Sequence, residues 1–329
     1  MERVLAGIRP TGKLHWGNFF GALQNWVKLQ NEYECFFFVA DWHSLTSEYA
    51  NTSKINQWTL EVLKDVFAAG VSPEKATIFI QSQIPEHAEL HLLLSMITPL
   101  GWLERVPTYK EMKQELTDKD LNTYGFLGYP VLQSADILLY NAKKVPVGED
   151  QVAHLELTRE LVRRFHSLTG KNIFVEPQPL LTPTPRVPGL DRRKMSKSFG
   201  NAIWLDDQPK EIQAKAMLTL TDPARTHRNI PGNPDVCTVY DFHKLVSDQK
   251  TLQWSNEGCR NAGIGCVECK KAMAEKAIDF FKEFREKKDH WNKHEKQLLA
   301  AVAEGNKRAH QVASKMMEKV KGALGIKWN

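Results

Sequence analysis

The sequence predicts an α/β fold with a parallel sheet followed by an all-helical part, and three observations carry that prediction. Apolar runs of strand length alternate with amphipathic stretches through residues 1–202, the pattern of strands joined by helical crossovers. One run, Cys35-Phe36-Phe37-Phe38-Val39-Ala40, is continuously apolar, as expected of a central strand buried on both faces. From about Ile203 onward strand runs nearly vanish and helical spacing dominates, which predicts a domain boundary close to residue 202 and a second, helical domain over 203–329.

In chain order, Val4 to Ile8 reads as a short buried strand closed by the Arg9-Pro10-Thr11-Gly12 turn, and Phe19 to Leu29 has helical spacing. The apolar run from Cys35 ends in Asp41. Ligands of parallel sheets bind beyond the carboxyl ends of strands, so Asp41, Trp42 and His43 are placed near a crevice. A helix is predicted over Gln57–Ala69 and a third strand over Thr77–Gln81. Residues of about 88–121 read as a helical insertion with a break near Pro107. Gly125 to Tyr140 reads as a turn and then a helix with an internal acid, Val145–Val147 as a fourth strand, and Gln151–His166 as a helix. Pro177 to Pro188 reads as a Pro-rich connector. Helices are then expected over Lys210–Leu220, Thr238–Ser247, Lys271–Phe284, Trp291–Glu304 and Arg308–Leu324.

With 42% hydrophobic and 25% charged residues in 329, the chain has the composition of a soluble globular protein of one large or two domains. No apolar run approaches the roughly 18–20 residues that cross a bilayer, and the N-terminus lacks a signal-peptide profile, so no membrane association and a cytoplasmic location are expected. The net charge of +5 is unevenly placed: from Lys270 onward there are fifteen Lys and Arg against eight Asp and Glu. A basic C-terminal face is compatible with a polyanionic partner and with an ordinary solvated helix surface alike.

Two stretches carry the chemistry. The first is a strand, a Gly-containing turn and a helix at Arg9–Asn18, an architecture that sets backbone N–H groups and a helix dipole against a phosphate. It is neither a G-x-G-x-x-G fingerprint nor a P-loop. The second is Arg192-Arg193-Lys194-Met195-Ser196-Lys197-Ser198-Phe199-Gly200-Asn201. Counting Arg186, five cations fall within a dozen residues there, interleaved with hydroxyls and closed by Gly-Asn. That reads as a mobile loop suited to a multiply charged anion that is later released.

Pro10-Thr11-Gly12-Lys13-Leu14-His15-Trp16-Gly17-Asn18 resembles the first signature of class I aminoacyl-tRNA synthetases, and Lys194-Met195-Ser196-Lys197-Ser198 matches the second. Between them, Tyr129 to Tyr140, Val147 to Gln151 and His154 to Arg159 are similar to bacterial tryptophanyl-tRNA synthetases, and the resemblance spans essentially the whole chain. It implies a Rossmann-like nucleotide domain, a helical anticodon-binding domain and a homodimer. It also implies activation of L-tryptophan by ATP with Mg²⁺, then transfer to tRNA(Trp). His15, Lys194 and Lys197 would be the catalytic residues. Arg9, Pro10, Thr11, Gly17, Asn18, Gly148, Glu149, Asp150, Val187, Met195, Ser196 and Ser198 would complete the ATP site, with Asp150 on a ribose hydroxyl. Trp16 stands where a small aliphatic residue is commoner, and Asn18 where many members have a second histidine.

Asp136 would select the amino acid. A carboxylate in the apolar helix 131–140 is costly to bury unless it meets a donor, and an indole N–H is donor-only. The same residue could instead be an exposed acid on a polar helix face. Tyr129 and Gln133, on the same face, would hold the substrate amine, with Gln151 and His43 as further contacts. Tyr-x3-Gln-x2-Asp also resembles archaeal-type tyrosyl-tRNA synthetases, so a tyrosine–tRNA ligase stands as an alternative, as does a catalytically silent RNA-binding relative. Cys237, Cys259, Cys266 and Cys269, separated by 21, 6 and 2 residues, read as a metal knuckle. Their spacing suits structural Zn²⁺ or a [4Fe-4S] cluster. A subset of bacterial tryptophanyl enzymes is similar here and carries [4Fe-4S].

Overall fold

The computed structural model describes residues 1–106, 121–181 and 187–327. Predicted features at Pro107, over 107–120 and at Arg186 lie outside the described residues, as does the side chain of Asp150.

Five parallel strands form one sheet in the order β3-β2-β1-β4-β5: β1 (Arg3–Ile8), β2 (Glu34–Val39), β3 (Ala76–Ile80), β4 (Lys144–Val147) and β5 (Gln178–Leu181). The chain builds outward from β1 to β3, then returns to start again on the other side of β1. The sheet therefore has its topological switch point between β1 and β4, where a crevice opens at the strand ends. Helices α1 (Trp16–Asn18) and α2 (Gln24–Leu29) join β1 to β2 through a π turn over Phe19–Leu23, and α3 (Asp41–Glu48) and α4 (Ile55–Ala68) join β2 to β3. The return passes through α5 (Glu86–Ser95), α6 (Leu100–Glu104) and α7 (Tyr124–Leu139). Helix α8 (Val152–Thr169) then connects β4 to β5.

Alternate side chains of the sheet feed two cores. Val4, Ala6, Cys35, Phe37 and Ile78 pack on one face, where Trp26 stacks on Phe37 at 4.5 Å. Leu5, Phe36, Phe38 and Phe79 pack on the other with α5, α7 and α8. This is why β2 reads as continuously apolar.

The remaining chain is helical: α9 (Pro209–Leu218), α10 (Thr238–Val246), α11 (Gln249–Arg260), α12 (Cys266–Phe280), α13 (Lys282–Lys293) and α14 (Glu295–Leu324). The first core runs on into these helices through Phe242, Phe281, Leu298 and Val302. Lys288 of α13 is buried against α4, 2.7 Å from Asp65 and 3.0 Å from Glu61. Helix α14 crosses β3: Asn306 Oδ1 accepts the Ile80 N–H at 3.1 Å, and a Cβ on Gly305 would fall 1.8 Å from the Ile78 carbonyl oxygen.

Several sequence expectations need correcting. Pro177–Pro188 is not only connector, because Gln178–Leu181 forms β5. Pro179 is tolerated there since β5 is an edge strand with one unpaired side. The turn expected near Gly125 is the first turn of α7, which Thr123 caps by accepting the Phe126 N–H. A break expected between Glu304 and Arg308 is absent, because Gly305 sits mid-helix for close approach to β3 rather than as a terminator. Helix α11 was not anticipated; it is mostly polar, and its one buried residue is Ser255.

Candidate active site

At the carboxyl ends of β1, β2 and β4 lies a cavity of about 420 Å³. It gathers Arg9, Asn18, His43, Tyr129, Gln133, Asp136, Gly148 and Gln151, all singled out from the sequence. The strand-end rule accounts for Arg9 and Gly148, which follow β1 and β4 directly. It only half accounts for Asp41 to His43. Asp41 is engaged in accepting the Ser82 and Trp42 N–H groups, and Trp42 lines a separate apolar pocket with Tyr49 and Leu132.

Asp136 lies on the buried face of α7 with 1% exposure. That removes the alternative of an exposed acid. Its Oδ2 faces His43 Nε2 at 2.7 Å, while Oδ1 accepts from Gln81 Nε2 at 2.8 Å and faces His87 Nδ1 at 2.6 Å. Burial alone would raise its pKa. The charge and hydrogen bond of His43, with those of His87, outweigh burial and hold the carboxyl well below its usual range. His87 Nε2 in turn meets the Tyr140 hydroxyl at 2.8 Å. A carboxylate has about four acceptor sites, and these three contacts leave capacity for one more donor from the cavity.

Gln81, His87 and Tyr140 were not found in the sequence. Gln81 directly follows β3, so the rule that flagged His43 also reaches it. His87 and Tyr140 had no such signal, being ordinary residues until α5 and α7 pack together. His154 is a further addition: its Nε2 meets the Tyr129 hydroxyl at 3.0 Å and its Nδ1 meets Gln151 Oε1 at 2.8 Å. One buried imidazole thus orients two predicted contacts.

The first signature contributes Arg9 and Asn18 to the cavity, and the basic loop reaches the same turn through Lys197 and Thr11. Gly12, at φ +124°, turns the chain after Pro10 and Thr11. The His15 N–H donates to Asn18 Oδ1 at 3.0 Å, closing the first turn of α1. Gly17 is required beside it, since a Cβ would lie 2.9 Å from the His15 ring. His15 is 8% exposed and its Nδ1 is buried without a partner among the described residues. Burial, then the charges of Lys197 and Lys194, push its pKa down to about 4, so the imidazole is neutral at pH 7.

The commoner small residue at position 16 is replaced by a full anchor. Trp16 is 0% exposed, stacked on Phe281 at 5.3 Å and edge-on to Phe242 at 5.4 Å. The signature turn is also bonded to the segment after the basic loop, with Trp16 N–H on the Ile203 carbonyl and Leu205 N–H on the Leu14 carbonyl, both at 3.0 Å.

In the basic loop the cations divide by task. Arg193 pairs with Asp191 and lies over the Phe199 ring, and Arg192, at φ +69°, donates to the Thr221 and Val236 carbonyls. Lys194 is exposed, and Lys197 reaches back to Thr11 Oγ1 at 3.3 Å. Burial lowers the Lys197 pKa to about 8, opposed by Asp65 and aided by Arg9. Ser196 Oγ and Ser198 Oγ are 2.9 Å apart, Met195 is buried, and its N–H donates to the Val187 carbonyl at 3.2 Å. Glu149 is exposed at the cavity rim next to Gly148.

The cysteines are not in the loop knuckle that was expected. Cys237 caps α10, Cys259 lies in α11, and Cys266 and Cys269 occupy the first turn of α12. Burial first, and then the neighbouring Cys237 and Cys266, push the Cys259 and Cys269 thiols up, yet no group of three or more His, Cys, Asp or Glu among the described residues is placed to hold a metal ion. Cys259 instead accepts from Arg225 at 3.6 Å, and Cys269 meets Ser255 at 3.2 Å. A Cβ on Gly232 would come 2.6 Å from Cys259 Sγ, so this glycine keeps space beside the thiol.

A parallel sheet with a buried carboxylate in its switch-point cavity, and a histidine turn reached by a lysine loop beside it, has the parts expected of a class I nucleotide-dependent synthetase. The family described as tRNA synthetases class I (W and Y) matches residues 1–282. The tryptophan–tRNA ligase of Thermotoga maritima is 50% identical over 333 residues, covering 98% of this chain and 99% of the relative. That of Ralstonia nicotianae is 43% identical over 397 residues, covering 100% and 99%. Among solved structures, the tryptophanyl-tRNA synthetase of Campylobacter jejuni complexed with ADP and tryptophan is 31% identical with a TM-score of 0.89, covering 98% of this chain and 99% of that one. The chain belongs to the class I tRNA synthetases of the W and Y family, within its bacterial tryptophanyl branch. The tyrosyl-tRNA synthetase of Archaeoglobus fulgidus, at 21% identity and a TM-score of 0.67, shares the fold. Among the described residues no helix is long and apolar enough to cross a membrane.

Proposed function

We propose that this protein is a tryptophan–tRNA ligase. The tryptophan carboxylate attacks the α-phosphorus of ATP, the bond to the β-phosphate oxygen breaks, and pyrophosphate leaves; the resulting tryptophanyl-AMP then esterifies tRNA(Trp) and releases AMP. The observation that carries this reading is Asp136, a buried carboxylate kept ionised by His43, His87 and Gln81 with acceptor capacity left toward the cavity. It would accept the indole N–H. A site built around such a bond discriminates by factors of about 10⁴–10⁵ against analogues lacking the donor.

Tyr129 and Gln133 would hold the ammonium group, with Gln151 and His43 completing the amino-acid site. In-line transfer needs positioning and charge stabilisation more than a protein nucleophile. Neutral His15, with Arg9, Pro10, Thr11, Gly17 and Asn18, would line the phosphate path. Lys194 and Lys197 would follow the charge gathering on the leaving pyrophosphate, with Met195, Ser196, Ser198 and Val187 supporting. Gly148, Glu149 and Asp150 would meet the ribose. Mg²⁺ would be held mainly by the phosphates and water.

Residues 1–202 would act as the catalytic domain and 203–329 as the helical tRNA anticodon-binding domain, in a cytoplasmic homodimer. Cys237, Cys259, Cys266 and Cys269 would hold a [4Fe-4S] cluster, with Zn²⁺ as the alternative; the four-thiol donor set and the nearby Arg225 guanidinium suit either thiolate-bound group. Iron and sulfide analysis tests this, and a colourless zinc-loaded protein overturns it. The ligase reading is tested by pyrophosphate exchange on purified protein with each amino acid. Exchange dependent on tryptophan is expected; a preference for tyrosine overturns the role of Asp136, and no adenylate formation at all favours a silent RNA-binding relative.

A further inference from the structure

We infer that Asn201 is a positioning residue for the activation step: its side-chain amide sets the shape of the lysine loop from which Lys194 and Lys197 act. The inference rests on the assignment of those lysines to the phosphates.

The loop leaves and returns at one point, where the Leu190 N–H donates to the Asn201 carbonyl at 2.9 Å and the Gly189 N–H to the Arg193 carbonyl at 2.6 Å. Inside that neck lies the Asn201 side chain, 3% exposed. Its Nδ2 donates to Asp191 Oδ1 at 2.7 Å and to the Lys194 carbonyl at 3.2 Å, while its Oδ1 accepts the Ser196 N–H at 2.9 Å. One planar amide therefore fixes a carboxylate on the outgoing limb and both peptide groups that flank Met195. Met195 is itself pinned in the core, so the segment carrying the lysines is held from its backbone while their amines stay uncommitted to any carboxylate within it. The Asp191 oxygen that Asn201 leaves over takes Arg193 Nε at 2.7 Å, which draws that cation away from the phosphate side.

The pocket for the amide exists because residue 189 is glycine. A Cβ there would lie 2.1 Å from Asn201 Nδ2 and 2.3 Å from its Cγ, and Gly189 does not adopt a left-handed conformation. Alanine would therefore be accepted by the backbone, and its nearest clash would be with Asn201. Asn201→Asp is the complementary change. It keeps volume and the acceptor for Ser196, removes both donations, and sets two carboxylates face to face.

Two independent variants thus attack one contact. In Asn201→Asp and in Gly189→Ala, kcat/KM for ATP in pyrophosphate exchange is expected to fall on the order of 10- to 100-fold, the range of a misplaced positioning group. Tryptophan affinity measured at equilibrium should stay within about twofold, because Asp136 is untouched. Adding Asp191→Asn to Asn201→Asp reverses the direction of that bond and should recover part of the loss. Normal ATP parameters in either folded single variant overturn the inference, and so does a loss of tryptophan affinity that keeps step with the loss for ATP. Lys197→Ala separates the two layers. If it retains exchange, the phosphate assignment itself fails; if it loses exchange while Asn201→Asp does not, the role of Asn201 alone fails.

Discussion

In the cavity Asp136 meets three donors inside the core; at the signature end of the site, Lys194 and Ser198 stand exposed on a loop and Lys197 makes one long contact to Thr11. The first end is fully built before substrate arrives. Its carboxylate, two imidazoles and an amide hold one another, so the proposed recognition of the indole ring would cost little reorganisation. The second end withholds its donors. In the proposed reaction its cations would face a group whose charge grows and then departs, and a lysine committed to a carboxylate would have to break that bond at each turnover. On the proposed assignments, recognition would be preorganised through side chains and catalysis through the backbone that carries them.

Substitutions can break this contrast. The largest effect is expected for Asp136→Ala, which strands His43 and His87: about 3–5 kcal/mol of stability should be lost, and kcat/KM for tryptophan should fall by about 10³-fold or more. A denaturation curve together with exchange kinetics checks both, and a mild effect would place recognition elsewhere. Trp16→Ala removes the anchor of the histidine turn on Phe242 and Phe281. It should cost about 3–5 kcal/mol by cavity formation, read as a lower Tm, with a smaller change in tryptophan affinity. Lys197→Ala should lower exchange by about 10²–10³-fold at unchanged tryptophan binding and unchanged Tm, the opposite signature to Asp136→Ala.

The smallest effect is one of pH. With its pKa lowered to about 8, Lys197 is charged below that value and loses its charge as pH rises through it. In free enzyme kcat/KM for ATP should decline above pH 8, approaching tenfold per unit, while saturating ATP restores the charge and moves the decline upward. His15, neutral above about pH 4, should add no inflection between pH 6 and 8; one that disappears in His15→Gln would contradict its neutral state.

Much of the site was legible because its members follow strand ends or share one helical face. Arg9, His43 and Gly148 follow β1, β2 and β4, and Tyr129, Gln133 and Asp136 line one side of α7. What was not legible depends on which elements pack together. His87 reaches Asp136 only because α5 lies against α7, and no spacing of residues 87 and 136 announces it. Local rules also pointed the wrong way where tertiary contact overrides them, as at Pro179 in an edge strand and Gly305 inside a helix. The cysteines show the same limit. Their spacing predicted a metal knuckle, whereas the structure sets three of them on helices, with no group among the described residues placed to hold a metal ion.

The crossing of α14 over β3 has a consequence for how the protein is made. Asn306 and Gly305 supply the cover for the strand edge at Ile78–Ile80. During synthesis from the N-terminus, β1, β2 and β3 can pair once residue 80 has emerged, yet that edge stays open until more than two hundred further residues have followed. An exposed strand edge is a template for pairing with another chain. The nascent protein is therefore most prone to aggregate late in translation, and chains stalled or cut before residue 305 inherit that hazard.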